Sequence, residues 1–100
     1  MTQKRHWVYI LCSQKNGTLY IGVTSDLTRR VYEHQQGLIA GFTKLHEVKT
    51  LVCVEEHATM NHSRCRENLL KNWKRLWKIQ LIENENPEWK DISHLFLDGL

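Results

Sequence analysis

At 100 residues, 41% of them apolar or aromatic, the chain can build one modest core, and residues 1–100 read as one domain with a body over about 5–83 and a tail over 84–100 packed on it. Three cysteines, Cys12, Cys53 and Cys65, without a Cys-x-x-Cys pair argue against a disulfide framework and for a reducing compartment, the cytoplasm. The net charge of +3 is segregated: residues 1–78 carry thirteen Lys/Arg against six Asp/Glu, and residues 79–100 one Lys against five acids, which suits a polyanionic partner met by one face.

The first apolar run, Trp7 to Cys12, is too short for a signal-peptide core or a membrane span, so no membrane partner is expected. It and Thr18 to Val23 are rich in β-branched and aromatic residues, and the Asn16-Gly17 step between them is a strong hairpin signal. Side chains alternate along a strand, so Leu19, Ile21 and Val23 share one face and Tyr20 and Gly22 the other, which reads as the less buried of the two. Thr24-Ser25-Asp26 offers capping oxygens for a helix over Leu27 to Gln36, stopped by Gly37. At roughly 100° per residue, Leu27 and Val31 fall on its inward stripe, Arg30 and His34 on the flank and Arg29 nearly opposite.

Leu38 to Thr50 has no clear period and reads as a loop. Leu51-Val-Cys-Val54, followed by Glu55-Glu56, predicts a third, well-buried strand. From Thr59 or Asn61 to Asn84, Cys65, Leu69, Trp73, Leu76 and Trp77 recur at helical intervals, as one helix or as two with a break near Trp73 to Trp77, before Pro87 ends the pattern. Trp89, Ile92, Leu95, Phe96 and Leu97 give the tail enough apolar surface to dock.

Tyr9, Tyr20, Arg30 and His34 are four groups suited to phosphate chemistry within twenty-six residues. A strand tyrosine is ordinarily a core or rim aromatic, and a helix-flank arginine ordinarily lies solvated over apolar surface; the i,i+4 spacing of Arg30 and His34 raises the functional reading to parity. Glu67 and Lys71 have the spacing of an ordinary surface ion pair, and Glu67 falls away from the Leu69/Trp73 stripe. Cys53, His57, His62 and Cys65 are zinc-ligand types without the tight paired spacing of closed sites, and carry little weight. Arg64, Arg66, Lys71, Lys74, Arg75 and Lys78, interleaved with Trp73 and Trp77, suit either a nucleic-acid surface or a solvated helix face.

Together these residues resemble the GIY-YIG nuclease superfamily, and more closely its small stand-alone bacterial members, over Trp7 to Asp91. Trp7-Val8-Tyr9 stands where the family has Gly-Ile-Tyr, Tyr20-Ile21-Gly22 is intact after ten intervening residues, Asp26 to Arg30 with His34 matches the arginine helix, Arg66-Glu67 the glutamate helix and Asn86-Pro-Glu-Trp89 a closing element. The resemblance implies an α+β fold, a three-stranded antiparallel sheet flanked by helices, and a metal-dependent endonuclease acting on nucleic acid, DNA before RNA, in repair or recombination. It implies that Glu67 holds one divalent ion, Mg²⁺ or Mn²⁺, and that Arg30 clamps the phosphate. Tyr9 or His34 is the implied base, Tyr20 a hydrogen-bond donor and Asn86 an orienting group. Histidine titrates near neutrality and tyrosine near pH 10, so chemistry leans to His34 while the resemblance keeps Tyr9 open. Arg66, Lys71, Lys74, Arg75 and Lys78 are the nucleic-acid-binding candidates. A binding module with little or no catalysis is the second reading, and assembly through the Trp-rich C-terminal surface the third; a monomer or weak homodimer is expected.

Overall fold

The two apolar N-terminal runs pair as expected. β1 (His6–Cys12) and β2 (Leu19–Thr24) form an antiparallel hairpin in which Asn16 takes φ 60 and Gly17 N–H donates to Gln14 O at 2.8 Å. β3 (Thr50–His57) pairs antiparallel with the other edge of β1, giving a three-stranded sheet of order β2-β1-β3. The structure is a computed structural model that describes residues 5–39 and 41–97; residues 1–4, 40 and 98–100 of the expected domain lie outside the described residues.

Central β1 is covered on both faces, and its residues Val8 to Cys12 are each at most 1% exposed. Val8, Ile10, Ile21 and Val52 pack on one side with Leu70, Ile82 and Trp89. Tyr9, Leu11 and Leu51 pack on the other with Leu27, Val31 and Val48, and Tyr20, Ile92 and Phe96 join them. The register sets Leu11 opposite Tyr20 and Tyr9 opposite Gly22, so the Tyr20 face belongs to this second core layer. That corrects the expectation of a less buried face: both sides of the sheet carry helices.

α1 (Leu27–Gln35) starts where Asp26 Oδ1 accepts from Arg29 N–H at 3.2 Å and is followed by Gly37 at φ 68, a left-handed conformation that glycine takes without cost. It buries Leu27, Val31 and His34, the i, i+4, i+7 series of one face, so His34 lies on the inward stripe and not on its flank. The expected loop after it contains one turn of helix, α2 (Phe42–Leu45), which buries Thr43.

The long C-terminal helical pattern is two helices, α3 (Met60–Asn72) and α4 (Arg75–Glu85), separated by extended backbone at Trp73 and Lys74, ψ 150 and 146. Of its expected inward stripe only Trp73 packs on the core among the described residues. α3 buries Ser63 and Leu70 and half-buries Arg66 and Glu67, while Cys65 and Leu69 face solvent, as do Leu76 and Trp77 of α4.

Asn86 fastens the tail: its Nδ2 donates to Val52 O at 3.2 Å and Lys90 O at 2.8 Å, and its Oδ1 accepts from Lys90 N–H at 2.9 Å. Ile92 N–H then donates to Leu51 O at 2.9 Å, and Thr28 Oγ1 on α1 to Phe96 O of α5 (His94–Leu97) at 2.6 Å. Leu95 is exposed, and the side chain of Leu97 lies outside what is described. No helix of the described residues is long and apolar enough to cross a membrane.

Candidate active site

Tyr9, at the middle of the central strand, is the hub of the site. Its ring lies across Gly22 on the neighbouring strand: a Cβ there would meet Tyr9 Oη at 2.5 Å and Cζ at 2.6 Å, so the missing side chain provides the space the phenol occupies. Tyr9 Oη lies 3.2 Å from His34 Nε2, and His34 Nδ1 lies 3.1 Å from Thr43 Oγ1. The three groups form a buried chain from β1 through α1 to α2. Tyr20 sits against both, its ring centroid 6.2 Å from that of Tyr9 and 5.4 Å from that of His34.

Burial dominates the titration of this chain. It pushes the Tyr9 phenol well above the ordinary tyrosine range, helped by Tyr20 and by the negative charge of Glu67 and opposed by the Arg30 guanidinium. His34 is shifted the other way, below the ordinary histidine value, by burial and then by Arg30, with Glu33 opposing. Arg30 and Glu67 therefore both bear electrostatically on the Tyr9 hydroxyl, although they come from helices far apart in sequence. Arg30 remains 42% exposed and, among the described residues, makes one long ion pair, with Glu33, Nε to Oε1 3.7 Å, so its fork can still turn to an anion.

Glu67 is 18% exposed, and its Oε2 lies 3.2 Å from Lys71 Nζ, the i,i+4 ion pair that the spacing foretells. Among the described residues, no three His, Cys, Asp or Glu side chains are gathered closely enough to hold a metal ion between them. A single partly exposed carboxylate is nonetheless the donor set that Mg²⁺ or Mn²⁺ accepts, since these hard ions keep several waters and fill other positions with phosphate oxygens. Cys53, His57, His62 and Cys65 are spread over β3 and the outer surface of α3. Burial, with Glu55 and Glu85 nearby, also pushes the Cys53 thiol up to about 12, away from the thiolate that zinc requires.

The basic candidates divide. Arg66 is bound by both Glu55 oxygens at 2.9 Å and lies over the Trp73 ring, and Arg75 donates to the hairpin carbonyls Asn16 O and Gly17 O at 2.8 and 2.5 Å. Both brace the fold in this structure. Lys71, Lys74 and Lys78 line α3 and the start of α4, with Lys71 Nζ paired to Glu67, Lys74 Nζ 5.9 Å from the Trp77 ring and Lys78 Nζ 3.3 Å from Lys71 O. Asn86 spends its amide on the tail, away from the Tyr9 chain. Sequence reasoning missed Thr43, the partner of His34. A lone threonine in an aperiodic stretch carries no signal, although Gly41, two residues before it at φ 100, marks a turn.

Comparison with known proteins agrees with this fold. A family model described as the GIY-YIG catalytic domain matches residues 5–80. A UPF0213 protein of Staphylococcus aureus is 37% identical over 79 residues, covering 78% of this chain and 94% of its own length. One from Staphylococcus epidermidis is 34% identical over 80 residues, 79% and 95% of the two lengths. The solution NMR structure of a UPF0213 protein from Bacillus halodurans superimposes with a TM-score of 0.55 at 28% identity, covering 91% of this chain and 96% of that one. The hub tyrosine on the central strand, the Tyr-Ile-Gly strand beside it, the arginine helix and the glutamate helix thus occur within a matched span of known type: the chain belongs to the GIY-YIG family.

Proposed function

We propose that this protein is a divalent-metal-dependent endonuclease that hydrolyses phosphodiester bonds in nucleic acid, DNA in preference to RNA, in the reducing setting its three free cysteines suit. The family is one of nucleases that act on nucleic acid and generally depend on divalent metal. The observation that carries the reading is the buried Tyr9–His34–Thr43 chain, on whose phenol the charges of Arg30 and Glu67 both bear.

Glu67 would hold the Mg²⁺ or Mn²⁺ ion, which when bound supplies positive charge against the leaving oxygen. Arg30 grips the scissile phosphate, its planar fork matching two oxygens and keeping its charge at any working pH. His34 is neutral near pH 7, and with its Nδ1–H donated to Thr43 Oγ1 its Nε2 accepts from the Tyr9 hydroxyl. Tyr9, held protonated by burial, cannot serve as a base alone. As it takes a proton from the attacking water it passes its own to His34 Nε2, so both residues act and neither needs an ionised resting state. The resulting hydroxide attacks phosphorus in line with the departing oxygen. Tyr20 walls the site and offers its hydroxyl to the phosphate, and Lys71, Lys74 and Lys78 contribute charge along the strand's path.

Incubation with supercoiled and single-stranded DNA in Mn²⁺ or Mg²⁺ tests this. The wild type should cut and Glu67→Gln should not, and calorimetric Mn²⁺ binding should be lost in the same variant. Cleavage that survives Glu67→Gln sinks the proposal. The Lys71 ammonium beside Glu67 favours one second reading, a nucleic-acid-binding module with little catalysis. Salt-sensitive binding that is indifferent to Glu67→Gln, without cutting, would select it.

A further inference from the structure

Next to the Tyr9 chain the structure holds an aromatic ring in water. Phe42, the first residue of α2, is 47% exposed, and its neighbours Leu38 and Leu45 are 66% and 78% exposed. Its ring lies nearly parallel to that of Tyr20, at 26° and 6.4 Å between centroids, and the His46 ring lies 4.5 Å beyond it. His34, Tyr20, Phe42 and His46 thus form a continuous row of rings running from the buried proton relay to the surface.

The ring is held in place. Thr43, the next residue, is 4% exposed and bonded to His34 Nδ1, Val48 is fully buried and donates its N–H to Thr43 O at 2.9 Å, and Gly41 turns the chain at φ 100, ψ −142, a conformation reserved for glycine. The contact that orients His34 therefore also fixes Phe42. An apolar ring held half in solvent, with Lys44 exposed on the same turn, suits an occupant that combines a flat π-face with negative charge.

We propose that Phe42, backed by His46, is a stacking platform for an unpaired nucleobase adjoining the phosphate held by Arg30. The base must be unpaired because its face is free only when it has left the stack of a duplex. The proposal rests on the nuclease reading of the site and names a specificity determinant for it.

Fluorescence anisotropy in EDTA, where nothing is cut, tests it with a labelled single-stranded thymidine oligonucleotide and an abasic strand of equal length and charge. The wild type should prefer the thymidine strand by about 5- to 150-fold, the range that stacking a base on an aromatic side chain supplies. Phe42→Leu, which keeps apolar bulk but loses the flat ring, should bring the thymidine strand down to the abasic value and leave abasic binding unchanged; Phe42→Trp should restore the preference. Equal wild-type affinity for the two strands, binding of neither, or an equal loss on both in Phe42→Leu overturns the platform. If the base preference is present but Glu67-dependent cleavage is absent, the nuclease reading fails and the platform stands. If cleavage is present and the preference absent, the platform fails and the nuclease reading stands.

Discussion

Replacing Gly22 by alanine tests the packing that seats Tyr9. The new Cβ would lie 2.5 Å from Tyr9 Oη, 2.6 Å from Cζ and 3.0 Å from Cε1. The phenol cannot swing aside, because Tyr9 is 1% exposed and the rings of Tyr20 and His34 flank it at 6.2 and 5.8 Å. Overpacking of this kind costs about 1–3 kcal/mol, and displacement of Oη from His34 adds about 1 kcal/mol for a lost hydrogen bond. Against this, alanine recovers roughly 0.5–1 kcal/mol of the backbone entropy that glycine loses in a strand. Destabilisation wins by about 1–3 kcal/mol, a fall in Tm of roughly 5–20 °C for a chain of this size.

Urea unfolding followed by tryptophan fluorescence measures the change, and a double-mutant cycle identifies its cause. In a Tyr9→Leu background the shorter side chain leaves Gly22 unopposed, so Gly22→Ala should become neutral or stabilising by about 0.5 kcal/mol. If Gly22→Ala costs the same in both backgrounds, the contact between the two strands is not what glycine serves, and the account of the site's central packing is wrong.

Three further outcomes follow from the same geometry. His34 titrates below its unfolded value, so the unfolded chain binds more protons below about pH 6.5; its contribution to stability is full above that pH and is lost as pH falls towards the lowered folded value. Subtracting the stability profile of His34→Gln from that of wild type should isolate this slope, and a flat difference would refute it. Asn86→Ala removes three hydrogen bonds that tie Val52 to the Lys90 turn. It should cost about 1–3 kcal/mol by urea unfolding and speed amide exchange at Lys90. Lys71→Met breaks an ion pair whose lysine is half exposed, so calorimetric Mn²⁺ affinity should rise only about twofold, the scale of such a pair; no rise would mean that the metal does not compete with Lys71 for Glu67.

Much of the fold is written locally. The Asn16-Gly17 turn, the β-branched runs on either side, the Asp26 cap and Gly37 each mark a boundary within a residue or two of where it falls. What local reading misjudged was burial, which depends on what arrives from elsewhere in the chain. One layer over the sheet would leave the Tyr20 face open; the tail, with Ile92 bonded to Leu51 and Phe96 over Trp7, helps close it. α2 was unreadable for a related reason. Four residues hold no period, and its anchor is a hydrogen bond to His34 nine residues earlier.

Glu67 shows why a candidate site can defeat a pattern that describes the rest of the molecule. Positions 63, 66, 67 and 70 fall within one narrow arc of a helix, and they carry Ser, Arg, Glu and Leu. The apolar residues that suggested a different stripe, Cys65 and Leu69, fall on the far side and are exposed. Hydrophobic periodicity finds the inward face only when that face is apolar. Here Arg66 turns inward to a carboxylate on β3, and Glu67 is half-buried beside it, its charge helping to raise the titration of the Tyr9 hydroxyl on β1. A helix organised for its hydrophobic layer alone would have buried Leu69 and exposed Glu67. That α3 does the opposite, leaving a leucine in water while half-burying a carboxylate whose charge bears on the Tyr9 hydroxyl, is why apolar periodicity could not single out Glu67.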